Sequence, residues 1–340
     1  IKSTLPDSAN FRGLLEGNRF IIFTTAIISF FTFDSYVAIS IVFTLFGYLG
    51  TWLIFYRLVK IYPQLCNYLF FFIICWPSSF FFFFGVMKEP LCLGCIGIPF
   101  YVLFSLKARI LSVAKVSLIA IPVSWFLYSI KFYLLASLGI SFLIALIFYL
   151  ISNIQQQSLK RFAYLCLSIL FIFPFVYFFI YGNDLIASSV SQHLLDSILN
   201  TTKAQLTMGN SNYDLGKIEL NPLGLARYLL ASLNVALFGP YFFQINKFQL
   251  LISGGESFIM LLLLLFTLYK ISVRKILSAV KNDMVLVFCF FFIIIVGFQI
   301  GAIAFNYGTL VRYKMPIVPF FFSFFIILLY KRKLSLSTIS

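Results

Sequence analysis

Long apolar runs alternate with short polar segments along most of this chain. Residues 260–268 and 284–296, for example, contain no charged side chain. A helix needs about 20 apolar residues to cross a hydrocarbon core about 30 Å thick, where its backbone groups must bond one another. The pattern therefore predicts an all-α, polytopic integral membrane protein with about ten transmembrane or re-entrant helices. The predicted segments are 20–33, 36–56, 66–86, 91–106, 111–130, 132–152, 162–181, 250–269, 284–305 and 315–330, the first being short for a span.

Basic clusters occur at every second connection between these segments. The positive-inside rule assigns such clusters to the cytoplasm. Most of the ten acidic residues fall on the opposite side, so we expect the chemistry at the outer face and a cytoplasmic C-terminus. The clusters are Arg57/Lys60, Lys107/Arg109, Lys160/Arg161, the lysines and arginine of 270–281, and Lys331/Arg332/Lys333.

The sequence divides into three predicted parts: an N-terminal transmembrane bundle (1–181), an extracytoplasmic segment (182–249) and C-terminal transmembrane helices (250–340). The middle part begins with an amphipathic pattern, continues with a turn-rich stretch and ends with an apolar helix predicted to be interfacial or re-entrant. Long connections usually have a function; a lid over a site and a simple packing cap both stay open. Residues 1–19 have no initiator Met, and we expect a truncated start whose side of the membrane stays open.

Composition restricts the function classes. The 340 residues are 62% hydrophobic and only 10% charged, with a net charge of +15. The basic residues flank apolar helices instead of forming one basic face, which argues against nucleic acid and indicates contact with membrane lipids. Cys92 and Cys95 form a CxxC pair, but the one histidine, His193, lies far along the chain. We therefore predict no metal site and a packing role for the cysteines.

Several charged residues lie inside or at the edge of apolar segments, where a charge is costly unless it faces protein, water or a ligand. Ion pairing between helices is one interpretation, with Glu89 paired to Lys131 or Arg312 and Glu256 paired to Lys88. The other is an outer cavity with a positive lining for phosphate or pyrophosphate and a carboxylate acting as general base. The residues are Lys88, Glu89, Lys131, Glu256, Arg312 and Lys314.

Five segments around these charges resemble a family of bacterial polytopic membrane proteins from surface-polysaccharide loci, similar in layout to GT-C-type glycosyltransferases and O-antigen polymerases. The resemblance implies one outer cavity in a bacterial inner membrane, with Glu89 and Asp214 catalytic and Lys88, Lys131, Tyr133, Glu256, Asn306 and Arg312 binding substrate. Phe132 replaces the usual proline, and 237–244 lacks a charged cluster. The segments are PSSFFFFFGVMKEPLCLG (77–94), SIKFYLL (129–135), NYDLGKIELNPLG (212–224), ISGGESF (252–258) and FNYGTLVRYKMPIVPF (305–320).

The leading functional hypothesis is a membrane-embedded glycosyltransferase or polysaccharide polymerase that uses a polyprenyl-phosphate-linked sugar at the outer leaflet. No cofactor is required, although a divalent cation stays open. A non-catalytic subunit with partner membrane subunits and a lipid-linked oligosaccharide transporter are the alternatives. Transport would need polar residues through both halves of the membrane, and the inner halves of the predicted spans contain few.

Overall fold

A computed structural model describes residues 9–83, 85–107, 112–167, 213, 215–216, 221–245, 249–304 and 306–337. The regular structure in these ranges is helical, without a β-strand, which confirms the all-α prediction. The helices are α1 (Ala9–Phe31), α2 (Tyr36–Ile61), α3 (Cys66–Leu69), α4 (Pro77–Phe83), α5 (Lys88–Lys107), α6 (Val113–Ser152), α7 (157–167), α8 (Pro222–Phe238), α9 (Gln249–Lys270), α10 (Val273–Lys281), α11 (Met284–Ile303), α12 (Tyr307–Lys314) and α13 (Val318–Ser337).

Five helices in the described ranges are long and apolar enough to cross a membrane, and a sixth span results if α12 and α13 together form a broken one. This agrees with an integral membrane protein, but ten spans are not confirmed. The five are Tyr36–Ile61, Lys88–Ser105, Ala114–Ser152, Leu250–Lys270 and Met284–Ile303.

The predicted span 66–86 is broken into short pieces. A 3-10 turn (Pro63–Leu65) leads into α3, a π-helical stretch (Phe70–Ile74) and then α4. Pro77 begins α4 because proline has no N–H to continue the preceding helix. The predicted span 20–33 lies in α1, whose apolar part, Arg19–Phe31, is shorter than a span.

The remaining predicted segments are only partly described. Segment 162–181 is described as far as residue 167, and the amphipathic stretch after 182 lies outside the described residues. The apolar helix predicted near 225–243 is present as α8, and it packs against α9 and α11. Asn221 starts α8 by accepting a hydrogen bond from the Gly224 N–H (2.6 Å), with Pro222 in the first turn.

The chain forms two compact units, one from residues 1–139 with 315–340 and the other from 140–314. The boundary falls within α6, which contains Lys131 in a non-helical conformation (φ −150°, ψ 86°). In each unit the helices bury their apolar faces by packing against one another.

Helices α2 and α5 pack closely against each other through glycine in the first unit. A Cβ atom on Gly97 would lie 2.0 Å from the Gly50 carbonyl oxygen, and one on Gly50 would lie 2.4 Å from the Leu93 carbonyl oxygen. Small residues allow transmembrane backbones to approach this closely. At the end of the pair, the buried Arg57 donates from Nη2 to the Phe104 carbonyl oxygen (2.5 Å).

Aromatic side chains join α13 to the broken helical stretch in the same unit. The rings of Phe72 and Phe322 stack with centroids 4.7 Å apart, and the buried Trp76 lies 4.4 Å from the same ring. Phe320 and Phe321 are also fully buried. These phenylalanines of α13 therefore pack inside the first unit.

In the second unit, α8 crosses α11 at another glycine. A Cβ atom on Gly301 would lie 2.0 Å from the Ser232 carbonyl oxygen. The buried Tyr213 donates from its hydroxyl to the Gly301 carbonyl oxygen (3.0 Å), and its ring packs 5.1 Å from the ring of Tyr307. These contacts hold Tyr213 against the end of α11 and the start of α12.

Candidate functional site

Glu89 and Lys131 form a buried ion pair in the first unit. Glu89 lies in the first turn of α5, where the helix dipole favours a carboxylate. Lys131 lies at the break in α6 and is the residue with non-helical backbone angles. Its Nζ is 3.6 Å from Glu89 Oε1, and the two side chains are 8% and 1% exposed. Among the pairings considered from sequence, Glu89 with Lys131 is therefore present.

The distance defines the kind of contact. At 3.6 Å the two groups attract electrostatically but exceed the usual length of a hydrogen bond, about 2.7–3.2 Å. The charges of Lys131, Glu89 and Lys88 also act on the thiol of Cys92, one turn further along α5. Lys88, Glu89 and Cys92 of α5 and Lys131 of α6 therefore lie near one another at the start of α5.

An apolar cavity of about 350 Å³ lies beside this end of α5. Leu91 and Cys95 contribute from α5, Val42 and Phe46 from α2, and Phe126 from α6. The Thr24 hydroxyl, also in the lining, donates to the Phe20 carbonyl oxygen of its own helix (2.8 Å). The cavity therefore offers carbon surface, and Lys88 and Glu89 are close in sequence to its lining residues on α5.

Tyr133 follows the break in α6 by two residues and is half-buried. Its carbonyl oxygen accepts from the Ser137 hydroxyl at 2.7 Å, a bond inside the helix. The position puts Tyr133 in the first unit together with Lys88, Glu89 and Lys131.

The second unit contains a different arrangement, centred on Lys314. Its ammonium group donates to the carbonyl oxygens of Leu237 (3.0 Å) and Gly239 (2.8 Å) and to Ser257 Oγ (2.9 Å). The Ser257 hydroxyl donates to the same Gly239 oxygen at 2.7 Å. An ammonium has three protons, and three acceptors surround this one. The arrangement indicates a structural lysine.

Three predicted site residues lie in the same unit as Lys314. Glu256, buried on α9, acts electrostatically on Lys314. Asn306 caps α12, with its Oδ1 accepting from the Gly308 N–H at 2.7 Å. Arg312 is half-buried on α12. Asp214 lies outside the described residues.

Sequence reasoning singled out Lys314 as a charged residue but did not separate it from Arg312. Residues two apart on a helix do not share a face. Helical periodicity therefore places the two on different faces of α12, although it does not say which face is the more buried.

No group of three or more His, Cys, Asp or Glu side chains with metal-binding geometry occurs within the described ranges. The six cysteines carry free thiols, with Cys92, Cys95 and Cys289 buried. Comparison with protein-family models, curated proteins and solved structures finds no match to this chain. The function is therefore argued from the two sites described above.

Proposed function

We propose that the chain is a membrane-embedded glycosyltransferase or polysaccharide polymerase that uses a polyprenyl-phosphate-linked sugar at the outer leaflet of a bacterial inner membrane. The observation that carries this proposal is the buried Glu89–Lys131 pair, whose two residues are close in sequence to Leu91 and Phe126 in the lining of an apolar cavity. The sequence resemblance to proteins of surface-polysaccharide loci supports the same class.

The proposed donor is an amphiphile with an apolar chain and an anionic phosphate. An apolar cavity suits part of the polyprenyl chain, because ligand sites combine apolar walls with a few placed polar groups. Lys131 and Lys88 would then hold the phosphate, since lysine is a usual partner for phosphate oxygens. Tyr133 lies in the same unit and remains a substrate-binding candidate in this proposal. Glu256, Asn306 and Arg312 as substrate-binding residues, and Asp214 as a second catalytic residue, stay predictions from the sequence.

The chemistry would proceed by exchange of partners at Lys131. The donor phosphate competes with Glu89 for the ammonium, which leaves the carboxylate able to accept a proton from the acceptor hydroxyl. The acceptor oxygen forms a bond to the anomeric carbon while the bond from that carbon to the phosphate oxygen breaks. The departing phosphate keeps the electron pair, and Lys131 stabilises its charge. The proposed reaction requires no cofactor, although a divalent cation could also be bound.

A non-catalytic subunit of a larger membrane assembly is the second candidate, favoured by the ion pair itself. A Glu89–Lys131 pair could serve only to hold α5 against the break in α6. Removing one partner of a buried pair costs about 3–5 kcal/mol, whereas replacing both by apolar groups is often neutral. The two candidates therefore differ in what the double replacement does.

The test compares Glu89→Gln, Lys131→Met and the double variant in cells that carry the chain as their only copy. Under the enzyme proposal each single variant lowers surface polymer by at least about 100-fold, as expected for loss of a general base or of charge stabilisation. The double variant accumulates to the wild-type level yet stays inactive. Lys115→Met, an exposed lysine on the same helix, is the matched control and keeps full activity. Polymer restored by the double variant contradicts the enzyme proposal and supports a structural pair.

A further inference from the structure

Helix α10 is a short amphipathic element between two candidate spans. Its apolar residues, Val273, Ile276, Leu277 and Val280, follow the i, i+3, i+4, i+7 spacing of one helix face. Val280 is buried, but Val273 and Leu277 are 60% and 59% exposed. The preceding span ends at Lys270 and the next begins at Met284, so a helix between them lies at a membrane surface.

The polar face of α10 is basic. Arg274, Lys275 and Lys281 are its charged residues, and it contains no acid. Asp283, the next acid along the chain, caps α11: its Oδ1 accepts from the Val285 N–H at 2.9 Å and from the Leu286 N–H at 3.4 Å. This carboxylate is thus directed toward the start of a helix.

Lys160 of α7 lies close enough to the end of α10 to act electrostatically on Lys281. The Lys281 ammonium lies 3.3 Å from the centroid of the Tyr164 ring. Lys160 is one helical turn before Tyr164, and its Nζ donates to the Ser152 carbonyl oxygen (2.8 Å), which uses one of three protons. Burial lowers the pKa of Lys281, and the charge of Lys160 lowers it further. Two like charges therefore meet at this place.

We propose that Lys160 and Lys281 bind the phosphate of an anionic phospholipid headgroup, with Val273 and Leu277 inserted among the acyl chains of the same leaflet. An anion placed between two ammonium groups relieves their repulsion, and basic groups near a membrane surface gain from anionic lipid. The exposed apolar side chains beside the lysines favour a lipid over a free anion. This inference is independent of the proposed glycosyl transfer.

The test measures lipid retention by the full-length purified protein, using native mass spectrometry with phosphatidylglycerol or phosphatidylcholine added to the detergent. We expect retention of phosphatidylglycerol at concentrations at least about tenfold lower than for phosphatidylcholine, the size of effect that charge-assisted phosphate contacts give. Lys160→Gln/Lys281→Gln removes this preference. The matched control is Lys60→Gln/Lys115→Gln, which also removes two positive charges. Lys60, like Lys281, lies over a tyrosine ring, with its Nζ 5.4 Å from the centroid of Tyr56.

Further measurements distinguish a lipid from a free anion as the ligand, and a loss of binding from a loss of folding. Val273→Ser/Leu277→Ser weakens retention of phosphatidylglycerol if acyl chains are engaged. Inorganic phosphate at equal concentration leaves the bound lipid in place. Lys160→Gln alone, which leaves the Lys281–Tyr164 contact intact, still lowers retention. Equal loss in the lysine double variant and its control overturns the proposal, as does displacement of the lipid by inorganic phosphate.

Discussion

Arg57 and Lys314 are both buried, and both donate to carbonyl oxygens at the end of a helix from elsewhere in their own unit. Arg57 reaches Phe104 in the last turn of α5, and Lys314 reaches Leu237 and Gly239 at the end of α8. The last four carbonyl groups of a helix have no partner within it, and the helix dipole makes that end negative. A cation supplied from a neighbouring helix satisfies both needs.

Replacing Lys314 by methionine should therefore destabilise the second unit. The carbonyl oxygens of Leu237 and Gly239 each lose a charged donor, and a hydrogen bond to a charged group contributes about 1.5–3 kcal/mol. We expect a lower melting temperature for Lys314→Met in detergent, and a smaller decrease for Ser257→Ala, which removes one acceptor of three. Arg227→Met, at an exposed position on α8, provides the control. A melting temperature equal to that of Arg227→Met contradicts the structural role given to Lys314.

At the scale of elements, the glycines of α2 and α5 determine how closely these helices pack. Gly97 has no space for a methyl group, since a Cβ atom would lie 2.0 Å from the Gly50 carbonyl oxygen. Gly139, in α6, has no atom within 4 Å of the same position. Close helix packing therefore requires glycine at position 97, whereas position 139 has space for a larger side chain.

The pair allows a matched prediction on stability. Gly97→Ala should push α2 and α5 apart and cost about 1–3 kcal/mol, the usual penalty for overpacking. Gly139→Ala should be neutral or stabilise by up to about 1 kcal/mol, because alanine is the better helix former. Chemical denaturation in mixed micelles measures both. Similar effects of the two substitutions would show that the α2–α5 contact is not tight.

The sequence was sufficient for the long helices because an uncharged run of bilayer length leaves few alternatives. α9 and α11 follow the predicted segments 250–269 and 284–305 closely. An interruption at Pro77 was expected because proline cannot continue a helix, but the π-helical stretch Phe70–Ile74 was not predicted. Tertiary contacts such as Phe72 with Phe322 accompany that stretch. No local pattern reports such a contact.

Sequence patterns were also insufficient to predict most contacts within the two sites. A charge in an apolar run identified Glu89 and Lys131 as unusual, and only two cationic partners were considered for Glu89. The surroundings of Lys314 combine residues 237, 239, 257 and 314. Contacts across 57 to 77 positions depend on how helices pack, which periodicity does not specify.

At the scale of the whole molecule, the basic connections predict a topology that epitope tags can test. A tag in the turn at Asp34 should be accessible to antibody in intact spheroplasts, because this turn is predicted to be outside. A tag after Asn282 should become accessible only after permeabilisation, because Lys270, Arg274, Lys275 and Lys281 favour the cytoplasmic side. Accessibility of the second tag in intact spheroplasts would contradict the predicted orientation.

The break at Lys131 also has a consequence for length. At 1.5 Å per residue, the 40 residues of α6 would form a straight rod of about 60 Å, twice the thickness of a hydrocarbon core of about 30 Å. The break leaves 113–130 and 132–152 on either side, with lengths of about 27 Å and about 32 Å. Each piece matches the membrane by itself. The break at Lys131 therefore divides a helix too long for one straight span into two pieces of about span length.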